Sequence, residues 1–191
     1  MFFYAMLVVC ASAVAGYLKR PDQVFFQFLL GIAAIVLATV VRGVRAIHLM
    51  KGGRVIPLDF GYQVLLGITG LVMLGMAGWY WRLNAPMALV ILFGVFGLAS
   101  FTDGVGMIGK FFHPKRMHSL DWYRLHIGSM LGAFTASTTA FTVNAAPFLP
   151  WYLQWFGPTL LLVPLQIYFG RMIKNRKKQE LNRLQPVSLC E

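Results

Sequence analysis

Six apolar runs follow one another along the chain, each ended by a short cluster of glycine, proline or basic residues. They predict helices over residues 2–17, 23–47, 59–81, 86–108, 121–144 and 151–173. Lys19-Arg20-Pro21-Asp22 parts the first from the second and Lys51-Gly52-Gly53-Arg54 the second from the third. Asn84-Ala85-Pro86 puts proline in the first turn of the fourth, while His113-Pro114-Lys115-Arg116 and the stretch 147–150 close the fourth and fifth. At ~1.5 Å per residue such runs cross a ~30 Å hydrocarbon layer, the first one only just. The expected fold is all-α: a polytopic transmembrane bundle of six spans in one domain, residues 1–173, with a basic cytoplasmic tail over 174–191.

Composition strengthens this picture. Of 191 residues 58% are hydrophobic and 12% charged, with a mean hydropathy of +0.67, which excludes a water-soluble domain. A net charge of +11 in a soluble protein would point to nucleic acid, but here the basic residues sit between apolar runs, so nucleic acid is not an expected partner. Of the 17 lysines and arginines, all but Lys19, Arg20 and Arg82 fall on one side of a six-span bundle. The positive-inside rule then places both termini in the cytoplasm and the protein in the inner (plasma) membrane. Trp79, Tyr80, Trp81, Trp151, Tyr152 and Trp155 read as interface anchors on the outer side, Trp122 and Tyr123 on the inner. The apolar N-terminus lacks the basic region of a signal peptide and its Leu7-Val8-Val9-Cys10 run fits a lipoprotein box poorly, so it is expected to stay as the first helix. Cys10 and Cys190 suggest neither a metal site nor a disulfide.

The fifth run is the least lipid-like and is expected at the centre. Gly128 and Gly132 form a GxxxG pair suited to close helix packing, and Ser129, Thr135, Ser137, Thr138, Thr139, Thr142 and Asn144 require partners inside protein. An echo between Arg42-Gly43-Val44 and Asp103-Gly104-Val105, each followed by a basic loop and an acidic helix start, suggests parallel hairpin repeats. That would make spans two to five a four-helix core with the first and sixth outside.

Charged and polar side chains near hydrocarbon need partners. Arg42, Arg45, Asp59, Asp103, Asp121, Arg124, His126 and Ser129 fall in one slab toward the inner face. The expected pairs are Arg42 or Arg45 with Asp103, and Asp59 or Asp121 with Arg124. Structural staples and helix-start carboxylates explain the same residues equally well. His126, just inside the membrane, can bond across to another helix, relay protons or ligate a metal. Together with His48 it has the makings of a bis-histidine site for haem b; His113 and His118 are the other metal candidates, without a zinc spacing. The Gly104 to Gly109 match to GxGxxG follows no strand and reads as packing, as do Gly94 and Gly97. Gly157-Pro158 and Pro164 suggest a kink or unwound point in the sixth span, a tolerated distortion in preference to a gate. The stretch from Arg171 to Arg183, rich in basic residues and with Glu180 as its one acid, is suited to the anionic inner leaflet or to a protein partner.

The segment from Arg124 to Asn144, a histidine near the start of a helix followed by small and hydroxyl residues, resembles segments of uncharacterised multi-helix bacterial membrane proteins grouped as a domain of unknown function. That resemblance covers the fourth and fifth spans and implies a bacterial inner-membrane protein, with no site residue beyond His126. Three functions stay open. The first is a non-enzymatic binding or accessory subunit or small transport-like protein, working with a membrane-protein partner or as a homo-oligomer. The second is a haem or metal redox protein using His48 and His126. The third is an intramembrane lipid hydrolase using Ser129 and His126, one helical turn apart.

Overall fold

The computed structural model describes residues 2–112, 118–146 and 148–184, and these form six helices and no strand. They are α1 (Phe2–Lys19), α2 (Val24–Met50), α3 (Pro57–Arg82), α4 (Met87–Phe112), α5 (Ser119–Ala145) and α6 (Trp151–Leu184). Each expected run is a helix. Four of them, α2, α3, α4 over Met87–Ile108 and α6 over Trp151–Glu180, are long and apolar enough to cross a membrane. The outside is apolar too: Ile68, Leu71 and Val72 on α3, Leu98 on α4, and Leu160 and Leu161 on α6 are exposed. Charged side chains such as Arg42 and Asp59 are buried instead, the reverse of a soluble domain.

Short connections stop the helices by hydrogen bonds that use their last carbonyls. At the end of α2, Gly52 takes a φ of +84° and Gly53 N donates to His48 O, closing a Schellman motif that only a glycine fills without strain. Asn84 repeats it after α3 at φ +52°, with Ala85 N donating to Tyr80 O. Helix α3 restarts with Pro57 in its first turn and Asp59 reaching back to Ile56 N.

The centre of the bundle is α2, which packs on α1, α3, α4 and α5. The sequence pointed to α5, and the reason it misleads is local. Thr135, Ser137, Thr138, Thr139 and Thr142 each donate to the carbonyl four residues back, so they need no neighbouring helix. Of the described hydroxyl side chains of α5, Ser129 accepts from Arg42 of α2, and Ser137 also reaches Met6 Sδ of α1 at 3.4 Å.

Close packing also lies elsewhere than expected. A Cβ at Gly128 would meet nothing within 4 Å, and at Gly132 only Thr39 Cγ2 at 3.9 Å. The tight seam is α3 against α4: a Cβ on Gly104 would lie 2.7 Å from Gly67 N, and one on Gly97 2.9 Å from Leu74 N. Ser100 Oγ reaches Leu66 O across it at 2.8 Å. Gly94 and Gly106 face open space.

The two proposed hairpins differ, since α2 lies against α3 whereas α4 and α5 make no comparable contact. Helix α6 packs along α5 and is largely exposed, while its Trp155 and Phe156 pack against Phe28, Met73, Leu92 and Phe93 in an aromatic-rich cluster at its N-terminal end. Phe28 meets Phe93 and Trp155 edge-on at 5.1 and 5.2 Å. Helix α1 packs through Met6, Cys10 and Ala13 on α2 and on Ala133 of α5. Helix α6 runs unbroken through Pro158 and Pro164 and past residue 174, so no break sets off the first part of the expected tail.

Candidate functional site

Because α4 belongs to α3 and α5 to α2, a gap is left between α4 and α5, with α2 behind it and α6 in front. It is a cavity of about 440 Å³. Its walls are mostly apolar, with Leu29, Ile32, Val36, Ala99 and Val143 among them. Phe25, Phe96 and Trp155 line the aromatic end and Arg42 and Asp103 the other. Thr39, Thr135 and Thr139 also face it, with their hydroxyl protons already spent on their own helices.

The polar end is built on a single ion pair. Arg42 Nη1 donates to Asp103 Oδ2 at 2.6 Å and its Nε to Ser129 Oγ at 3.1 Å, tying α2 to α4 and α5. These two residues stand 61 positions apart, at equivalent places in the internal echo. The Arg42 side chain is 8% exposed and Asp103 43%. Asp103 Oδ1 and Arg42 Nη2 have no further partner among the described residues, and neither has the Gln166 amide on the same cavity wall. On its far side the pair borders a second cavity of about 530 Å³, lined by Asp121, Arg124, Gly128 and Ser129. A third hollow, about 460 Å³, runs between α5 and α6. All three share Gly128, whose missing side chain leaves them adjoining.

The other expected residues are assigned differently. Arg42, not Arg45, takes Asp103. Asp59 pairs with Arg45 instead of Arg124, through Nε to Oδ1 and Nη2 to Oδ2, both 2.7 Å. The short α2–α3 loop brings Arg45 there first, and Arg45 Nη2 also bonds Arg54 O within it. Asp121 pairs with Lys177 Nζ at 2.5 Å, because α6 continues far enough to reach the start of α5. Arg124 lies beside Gly170 of α6, with no ion pair among the described residues.

The three described histidines do not converge. His126 Nδ1 lies 2.7 Å from Gly43 O, which makes it the donor in a cross-helix bond to α2. His48 is exposed in the last turn of α2, its ring against Gly53. It lies five residues from Gly43, so the two rings are on different faces of α2 and do not bracket one haem iron. His118 caps α5: its Nδ1 accepts from Leu120 N and its Nε2 is 3.7 Å from Glu180. His113 lies outside the described residues, as do Lys115, Arg116 and Cys190. Among the described residues no three His, Cys, Asp or Glu side chains come together as a metal site. Ser129 Oγ accepts from Arg42 and His126 Nδ1 donates to Gly43 O, and no hydrogen bond joins the serine to the histidine among the described residues.

Sequence reasoning missed Trp155, Thr159 and Gln166 as cavity residues. The signal was present: they sit at i, i+4 and i+11, one stripe on α6 that carries polar groups on an otherwise apolar stretch. No protein-family model, curated protein or solved structure matches the chain.

Proposed function

We propose that the protein is a membrane bundle of six spans, both termini cytoplasmic, that binds a small neutral amphiphile inside the bundle in a binding or transport-like role. The reading rests on the cavity between α4 and α5: apolar walls ending at an ion pair whose Arg42 Nη2 and Asp103 Oδ1 have no partner among the described residues. A volume of about 440 Å³ suits a single small molecule. The charges of Arg42 and Asp103 cancel, so a charged head would leave one of them uncompensated in low dielectric, whereas a hydroxyl or amide head satisfies both. An apolar body would then lie along α2 and end against Phe96 and Trp155.

The six-span, cytoplasmic-termini arrangement is supported by the basic residues gathered at one end. The chain's α5 crosses despite its polarity because its hydroxyls are satisfied within the helix. With a charged cavity beyond it, the Arg42–Asp103 pair stands where a gate for a neutral solute belongs.

Small molecules retained by the purified protein, identified by mass spectrometry, test this. One neutral amphiphile per chain is expected in the wild type and should be lost from Ala99→Phe, which fills the cavity from an exposed position on its wall. If Ala99→Phe retains the same molecule, or if the wild type is empty and no neutral single-chain amphiphile quenches Trp155 saturably, the reading is wrong.

A further inference from the structure

The hollow between α5 and α6 has a different character from the cavity beside it. Arg124 of α5 and Arg171 and Lys174 of α6 stand around one end of it, and none makes an ion pair among the described residues. Of the nearby carboxylates, Asp121 is paired with Lys177, and Asp103 is paired with Arg42 through Oδ2. Gly170 contributes to the shape, since even a bare Cβ there would come within 3.6 Å of Arg124 Nε. Deeper along the groove the walls become Ile127, Leu131, Val163 and Ile167, of which Val163 and Ile167 are exposed at the bundle surface.

Three uncompensated cations above an open apolar groove match one chemistry: a phosphodiester with a hydrocarbon chain below it. The geometry points to an anionic phospholipid of the cytoplasmic leaflet, its phosphate held by Arg124, Arg171 and Lys174 and one acyl chain lying in the α5–α6 groove. A soluble phosphate would leave the apolar walls unused, and the cavity ligand proposed above is neutral, so neither fits. The inference rests on the six-span reading but not on what occupies the α4–α5 cavity.

The test is titration of delipidated protein in neutral detergent with phosphatidylglycerol and with phosphatidylcholine of the same chains, read by native mass spectrometry. Phosphatidylglycerol should bind one-to-one and more tightly by about a hundredfold, three basic side chains each contributing about a factor of five. Arg124→Gln with Arg171→Gln and Lys174→Gln should remove that preference. Val163→Trp, which blocks the groove and keeps every charge, should weaken both lipids. Arg176→Gln with Lys178→Gln, exposed and outside the groove, should leave the preference intact. Equal binding of the two lipids overturns the assignment, as does loss of preference in the Arg176 and Lys178 variant. Displacement of the lipid by millimolar glycerol phosphate would reassign the groove to a soluble ligand and overturn it too. Quenching of Trp155 by a neutral amphiphile is read separately, so failure here is distinguishable from failure of the cavity reading.

Discussion

Arg42 and Arg45 sit one turn apart on α2, and each meets an aspartate, yet the two pairs are built for different work. The Arg45–Asp59 pair is closed: two parallel bonds of 2.7 Å, a further bond from Ile56 N at 2.9 Å, Tyr62 Oη at 3.3 Å, and an Asp59 side chain that is 0% exposed. The Arg42–Asp103 pair is open: one bond, a carboxylate 43% exposed, and cavities on both sides. Burial of a charge is tolerated only when its hydrogen-bonding capacity is filled, so the closed pair has nothing left to offer a ligand. The open one leaves Asp103 Oδ1 and Arg42 Nη2 without partners among the described residues, beside cavities that the two residues line. The same residue types at nearly the same level thus form a saturated staple in one place and, under the proposed function, a binding site in the other.

The sharpest way to break this comparison is at the staple. Asp59→Asn should destabilise by about 3–5 kcal/mol, since it strands the Arg45 charge and the fork geometry together. A thermal melt in detergent measures this. If the pair serves only as a staple, Arg45→Met with Asp59→Leu should recover most of the loss, because an apolar pair of similar volume needs no partners. Next comes the α3–α4 seam, which holds α4 away from α5. Gly104→Leu forces two backbones apart and should cost about 2–3 kcal/mol, as overpacking of a tight contact does. Gly128→Leu faces open space and should leave the melt nearly unchanged while removing ligand.

Which of these features the sequence discloses follows from what a linear pattern can encode. Helix number and limits are written in the punctuation: Gly52, Pro57, Asn84, Pro86 and Pro150 stop or start helices by backbone constraints that act within a few residues. Depth is legible too, since counting along each run brings Arg42, Asp103 and Ser129 to one level, and these three do meet. Azimuth is not. Asp59 and Asp121 lie at similar depths, but their partners depend on which way each helix is turned and how far α6 continues, so Arg124, paired in expectation, has no ion pair among the described residues. The GxxxG pair misleads for the same reason, as small residues mark either a contact or a cavity and spacing does not say which. Trp155 has the composition of an interface anchor and the position of a cavity wall.

Smaller in stability, but decisive for function, is Asp103→Asn. It leaves the Arg42 guanidinium, 8% exposed, without its carboxylate, but the cavities on both sides admit water, so the cost in the melt should be smaller than at Asp59, about 1–2 kcal/mol. It removes the charged acceptor from the ligand, and loss of one charge-assisted hydrogen bond predicts about a tenfold or greater drop in amphiphile affinity, followed by Trp155 quenching. A large loss of stability with unchanged binding would make this pair a second staple and erase the contrast with Arg45–Asp59.

The smallest expected effect separates the cavity from a packing defect. Gly128→Ala adds a Cβ where nothing lies within 4 Å, in mid-helix, so it should raise stability by about 0.5–1 kcal/mol through the lower entropy of the unfolded chain. The same substitution at Gly104 should lower stability, because Gly67 N is 2.7 Å from the new atom. A natural sequence that keeps a glycine where alanine is more stable gives up free energy at that position, and at Gly128 the three hollows adjoin. If Gly128→Ala proves stabilising and also slows exchange of the amphiphile between cavity and detergent, the glycine is retained for passage. If it destabilises as Gly104→Ala does, α5 is closed against a neighbour there, and the open pair has no route to its ligand.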